Sequence, residues 1–471
     1  MQASLPKMPS RLPIKTKIFY GIGDMATASV VGVIGYLINP FLLNVAGLTP
    51  AMVGIILLIK QIWDAINDPF MGTISDRTQH RFGRRKVWIM AATVPLGILF
   101  FLSWMVPDIS LWGKFAYYLV IAILLDTFYT MHNVPYAALT AEMTDDYKER
   151  SRINIYRFAF SLIGSLLATI IFALLTDGAA DQQAAYFQAA WIVMIIIFIT
   201  GFAPIPFSPE RNPEIDRNAP RPSLFENFRS AMTVRPFRHV FLLFLCSWSA
   251  VTIVQSYIVL YMQYWLRPEG GGNLVLLIVY LQLSAVVFVI FYGWLSTIIG
   301  KKAVYFIGGG IWALVFASVF FIQPGQDGII LVLSLLGGGG TAVALLVPFS
   351  MLPDVIDYDE LHNGERREGV FYGFFAFVNK VARGFALALL SFILGWAGFQ
   401  EATDGVAAVT QEPAVLLTLR IFVSFLPATI VIISFFIAAR YEITEEVHQD
   451  ILKKLGRTAE SGSIAEIDMA G

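Results

Sequence analysis

Apolar residues run along this chain in long blocks, parted at intervals by short clusters of Gly, Pro and charge. Stretches such as "GSLLATIIFALL", "WIVMIIIFITGF" and "IFVSFLPATIVIISFFIAA" recur from end to end. A helix needs about 20 such residues to cross roughly 30 Å of hydrocarbon. Reading the breaks predicts twelve helical spans, beginning near residues 17, 50, 86, 113, 153, 188, 237, 274, 302, 327, 369 and 413. Spans nine and ten part only at "QPGQD". The first apolar segment, Ile18 to Val45, is too long for the core of a cleaved signal and is expected to remain as a span.

The pattern also repeats. "VPYAALTAEMTDDYKER" from Val134 resembles "VPFSMLPDVIDYDELHNGER" from Val347, and "GTISDRTQHRFGRRK" from Gly72 has a reduced echo in "GWLSTIIGKK" from Gly293. Each pair sits at the same end of corresponding spans. The expected layout is a six-helix bundle over residues 1–207, a polar linker at 208–236, a second bundle at 237–440 and a tail at 441–471. The expected fold class is therefore an all-α membrane protein, with twelve transmembrane helices in two six-helix pseudo-repeats. Two parallel repeats of this kind are the architecture of major-facilitator transporters, whose substrate site lies between the halves near the midplane.

Composition agrees: 57% of the 471 residues are hydrophobic and 14% charged, against about 25% charged in soluble domains. The net charge of −1 says little about partners, because the charges are segregated. Of the 33 Lys and Arg, 26 fall on the termini and on the loops of the same side, and the opposite loops hold only Lys114 and Arg267. The positive-inside rule places both termini in the cytoplasm, and the expected location is a plasma (inner) membrane, as a multi-pass protein. A single cysteine, Cys246, excludes an intramolecular disulfide. No HExxH, Cys/His cluster or GxSxG is present, so a membrane enzyme or a channel ranks behind a transporter. Neither nucleic acid nor a cofactor is implied; the expected partners are the bilayer, a small solute and a coupling cation, for a carrier acting as a monomer.

The informative residues are charges at membrane depth. In "LIKQIWDAINDPFMG", Lys60, Asp64 and Asp68 follow one another at i, i+4, which lines them along one helical stripe. Each would cost roughly 2.5–3.5 kcal/mol at a helix centre, so they must face the bundle interior or a wet cavity. A structural Lys–Asp pair accounts for one carboxylate and leaves the other. Two close carboxylates suit a hard cation with oxygen ligands, or a shared proton. Span four offers a matching face in Asp126, Thr130, Asn133 and Ala137, where Pro135 frees a backbone carbonyl. Asp24, Lys380 and Arg383 lie at similar depth. Lys380 opposite the carboxylates would compete with the cation and couple it to the cycle; Arg383 reads as a gate or packing residue. His132 reads as a packing histidine. In "SDRTQHRFGRRK", Asp76, Arg84 and Arg85 form either a basic topology signal or a charge lock on the helix ends, with Asp354 and Asp357 serving the second half opposite "GERRE".

These residues resemble the glycoside–pentoside–hexuronide:cation symporter family. "YGIGD", "VAGLTPAMVG", "IWDAINDPFMG", "SDRT" with "RFGRRK", "NVPYAALT", "YRFAFSLIG" and "LPDVIDYDE" all fit its pattern, from the first span to Gly384. The resemblance implies alternating-access symport, with a cation site at Asp64, Asn67, Asp68 and Thr130, sodium held by Asp64 and Asp68, Lys380 beside it and Arg157 near the inner end. Protons are the other candidate ion. Where the family's melibiose permeases carry two sugar-binding acids and two tryptophans, this chain has Ala28, Asn133, Ala137 and Leu345, and Gln61 replaces a usual base. Sodium-coupled lysophosphatidylcholine symporters are similar too, and share an acid at position 126. A glycoside substrate, ringed by Asp24, Asp126, Tyr129 and Asn133, is placed first; a lysophospholipid is the alternative.

Overall fold

The computed structural model describes residues 11–144, 147–210, 230–267, 274–364, 368–400 and 410–455. It is helical throughout these segments. The first set comprises α1 (Ile14–Asn44), α2 (Pro50–Arg77), α3 (Lys86–Leu102), α4 (Leu111–Met143), α5 (Tyr147–Thr176) and α6 (Gln182–Phe202). The second comprises α7 (Arg235–Tyr261, prolonged by a π-helical turn at Met262–Leu266), α8 (Leu274–Ile299), α9 (Lys301–Val319), α10 (Asp327–Asn363) and α11 (Glu368–Trp396). It closes with α12 (Pro413–Val423) and α13 (Phe425–Ala439), after which α14 (Glu445–Lys454) lies beyond the bundle.

Polar residues set the starts. Thr49 caps α2 by accepting the Met52 N–H, with Pro50 at the first helical position, and Asp181 caps α6 by accepting the Ala184 N–H at 2.9 Å. Helices α5 and α6 begin at Tyr147 and Gln182, six residues before the apolar runs that marked them, because polar first turns extend beyond the hydrocarbon. Among the described residues ten helices are long and apolar enough to cross a membrane, counting α12 and α13 as one. The other two expected spans coincide with α3, apolar but only 17 residues long, and with α11, several of whose side chains lie outside the description. Span twelve is not one helix: it breaks at Ser424, because Pro427 has no N–H to offer the Val423 carbonyl. The expected linker lies mostly at 211–229, outside the described residues.

Packing differs between the two faces of the bundle. The first and last described residues lie toward one of them, here the terminal face. On the far face a single buried cluster joins both sets, from Leu37 and Phe41 of α1 to Tyr257 and Leu260 of α7, Leu394 of α11 and Leu419 of α12. Toward the terminal face the described core divides into separate clusters. Tyr20, Ile89, Tyr136 and Leu139 pack within the first set, and Phe237, Tyr305, Val347 and Met351 within the second. Hydrogen bonds follow the same division. Asn39 donates to the Ser256 carbonyl at 2.8 Å, Asn44 to Gln263 at 2.7 Å, and the Tyr264 hydroxyl to Asn44 at 2.9 Å. All three cross between the sets near the far face. Within the first set, α1 and α5 lie nearly backbone to backbone, because Gly164 has no Cβ to meet the Met25 Cα, which would stand 2.7 Å from it.

Candidate functional site

The site is built where α2, α4 and α11 meet at mid-depth. The i, i+4 spacing on α2 turns Asp64 and Asp68 toward α11, whose backbone comes close because residue 384 is glycine. A Cβ there would stand 2.7 Å from the Gln61 Cβ. One turn before Gly384, Lys380 reaches between the two acids: its Nζ is 2.6 Å from Asp64 Oδ1 and 2.6 Å from Asp68 Oδ2. Thr130 on α4 donates to Asp68 Oδ1 at 2.9 Å, and Gln61 Nε2 donates to Asp64 Oδ2 at 3.1 Å. Each carboxylate oxygen thus has one donor. Asn67 is buried beside them, its amide nitrogen without a partner among the described residues.

The remaining charges fall into further pairs. Lys60 does not close on Asp64 as a structural pair; it turns to Asp126 on α4, Nζ to Oδ1 3.1 Å. Asp126 Oδ2 stays buried without a donor among the described residues. Asp24 of α1 accepts from Arg157 Nε of α5 at 3.2 Å, and that guanidinium lies 5.3 Å over the Tyr136 ring. Asp24 and Asp126, expected to ring a sugar, are thus each paired with a base, with Asp126 Oδ2 left over. Tyr129 stands at the centre, within electrostatic reach of Asp24, Asp64, Asp68 and Asp126, while Asn133 is half-buried one turn further along α4. Arg383, one turn past Lys380, makes no ion pair among the described residues; its Nε is buried without an acceptor, and its guanidinium lies 6.0 Å from the Trp248 ring of α7.

At the terminal face the charged motifs tie helices within each set. Arg85 bonds Asp76, Ser75 and Glu142, and Arg84 shares Glu142, so α2, α3 and α4 are held together. Glu210 accepts the backbone N–H groups of Arg85 and Lys86, yet burial pushes its carboxyl above the usual range. In the second set Lys301 Nζ bonds Asp354 at 2.7 Å, and His448 of α14 contacts Asp357 at 3.0 Å. The "GERRE" partner expected there lies mostly at 365–367, outside the described residues. Sequence reasoning missed Glu142, Glu210 and His448. Only the acid in "TAEM" near the end of α4 carried any signal.

The sequence profile of the MFS/sugar transport protein family matches residues 19–445. The chain belongs to that family. An uncharacterised symporter of Synechocystis sp. is 32% identical over 94% of this chain and 97% of its own length. The sodium-dependent lysophosphatidylcholine symporter 1-B of Danio rerio is 29% identical over 98% of this chain and 92% of its own. Among solved structures, a bacterial homologue of the human lysosomal transporter Spinster, inward-facing and unoccupied, aligns with a TM-score of 0.63 at 13% identity, covering 94% of this chain and 97% of that one. That likeness shows the major-facilitator fold alone. As a symporter of this superfamily, the protein moves a solute together with an ion across a membrane and is not an enzyme.

Proposed function

We propose that this symporter couples sodium to the movement of a single-chain amphiphile of lysophospholipid type. The observation that carries the reading is the Lys380 ammonium lodged between Asp64 and Asp68. An ammonium held by two carboxylates stands where a small cation would bind, and a ligand drives the cycle only through its different affinities for the two states. Sodium entering there would take oxygens from Asp64, Asp68, Thr130 and Asn67, and would release Lys380 toward the cavity.

Two observations favour an amphiphile over a glycoside. First, Asp24 and Asp126 each give an oxygen to Arg157 or Lys60, which leaves few acceptors for a ring of sugar hydroxyls, and each hydroxyl left unpaired in a buried site costs roughly 1–3 kcal/mol. Second, a narrow apolar cavity lies among α7, α8, α9 and α10, lined by Val251, Ile258, Leu281, Phe316 and Leu333 and by none of the charged residues. An acyl chain there would gain about 0.8 kcal/mol for each buried CH₂. The Danio rerio relative is named for such a substrate. On the basic-loop asymmetry we take the terminal face as cytoplasmic, in which case the closed far face makes this an inward-facing form.

A thermal-shift series on the purified protein tests the reading. Sodium alone should stabilise it, lysophosphatidylcholine should add to the shift only with sodium present, and methyl glycosides should add nothing. Asp68→Asn should abolish the sodium shift and reduce gradient-driven uptake by at least about tenfold. Undiminished sodium-driven uptake in Asp68→Asn, or a response confined to glycosides, would overturn it.

A further inference from the structure

The charges at mid-depth balance. Four acids, Asp24, Asp64, Asp68 and Asp126, face four bases, Lys60, Arg157, Lys380 and Arg383. Three of the bases are spent on the acids in ion pairs. The fourth, Arg383, reaches Asp64 and Tyr129 only at electrostatic range and has a buried nitrogen with no acceptor among the described residues. The other ionisable group nearby, His132, is packed away against Gly201 on α6.

Loading one cation adds one positive charge to a neutral cluster inside the membrane, whether that cation is sodium or a proton. Uncompensated charge at this depth is expensive, so the loaded state favours a substrate that brings one negative charge. The cation also frees Lys380, three residues before Arg383 and on the same face of α11. A guanidinium offers a planar fork of donors suited to a phosphate or carboxylate, and the freed ammonium would supply a second contact. We infer that Arg383, joined by the displaced Lys380, anchors an anionic group of the substrate, so that one sodium and one monoanion cross together without moving net charge. The inference rests on the cation reading of Asp64 and Asp68 and adds to it the charge of the cargo. The Trp248 ring lies 6.0 Å from the Arg383 guanidinium and would shield the bound group from water.

Matched probes test it: palmitoyl lysophosphatidylglycerol as the anion, palmitoyl lysophosphatidylcholine as the zwitterion, monopalmitoylglycerol as the neutral form, and an alkyl glucuronide against its alkyl glucoside. With sodium present, an anionic member should bind at least about tenfold more tightly than its neutral counterpart. A response to lysophosphatidylglycerol identifies a lipid head group; a response to the glucuronide alone identifies a sugar acid. Arg383→Gln should erase that preference while keeping the shift produced by sodium alone, and Arg383→Lys should restore part of it. In proteoliposomes, uptake of the anion should ignore an imposed potassium potential, whereas the zwitterion should respond to it. Equal binding of charged and neutral probes, equal weakening of both in Arg383→Gln, or voltage-driven uptake of the anion would each overturn the inference. If Arg383→Gln fails to fold, the probe series and the voltage test on the native protein still decide. Absence of any sodium shift in the native protein would instead defeat the coupling reading, and the anion preference could still be measured without sodium.

Discussion

Lys380 keeps two acids together at a depth where neither could stand bare. Removing its charge while keeping its bulk separates the roles of the ammonium. In Lys380→Gln, sodium should still bind, and without competition, so the sodium-dependent thermal shift should persist at lower sodium. The empty carrier, however, would have to reorient with an uncompensated acid. Net uptake down a sodium gradient should fall by at least about tenfold, while exchange of labelled substrate at equal sodium on both sides survives. Uptake and exchange lost in equal measure would argue for a merely structural lysine. At this scale the sequence was readable wherever one helix was enough. The i, i+4 stripe marked Asp64 and Asp68, and the period of span four marked Thr130. What could not be read was which stripe meets which. Lys60 shares the stripe with Asp64 yet pairs with Asp126, because helical period fixes a residue's face but not how that helix is turned against its neighbours.

Helices α1 and α5 make the tightest junction in the first set, and its limit is set by backbone. A Cβ on Gly164 would stand 2.7 Å from the Met25 Cα and 2.9 Å from its carbonyl oxygen, neither of which can swing aside like a side chain. Gly164→Ala should therefore push the helices apart and cost about 1–3 kcal/mol. The expected reading is a clearly lower melting temperature in detergent and a poorer yield of folded protein; an unchanged melting temperature would show that the junction is looser than drawn. Most elements could be placed from the apolar blocks and the punctuating Gly and Pro, since hydrocarbon thickness imposes a length that soluble folds lack. The break at Ser424 escaped notice for a physical reason. Pro427 resembles Pro95 and Pro135, which lie inside unbroken helices, and whether a proline is absorbed depends on its neighbours.

The two sets meet at the far face and part toward the terminal face, and this geometry can be trapped. With Cys246→Ala as background, cysteines introduced by Asn44→Cys and Gln263→Cys should be bridged by a short bis-methanethiosulfonate reagent, because the native side chains meet across the junction at 2.7 Å. Bridging should stop uptake and reductant should restore it; transport that continues in the cross-linked protein would mean that this junction does not open during the cycle. The repeat between Val134 and Val347 made the two-bundle plan legible, but not which face is shut. One sequence must serve every state of a carrier, so no single pattern can favour one of them outright. The three hydrogen bonds described across the junction carry no formal charge: asparagine, glutamine and tyrosine bond to one another and to backbone, over aromatic packing. Such bonds are hardly screened by salt and do not titrate in the ordinary range, unlike the ion pairs at the terminal face. If the far face looks outward, as proposed, the hydrogen bonds that close it are indifferent to the salinity and acidity of the surroundings, whereas the ion pairs toward the buffered interior can be loosened by both.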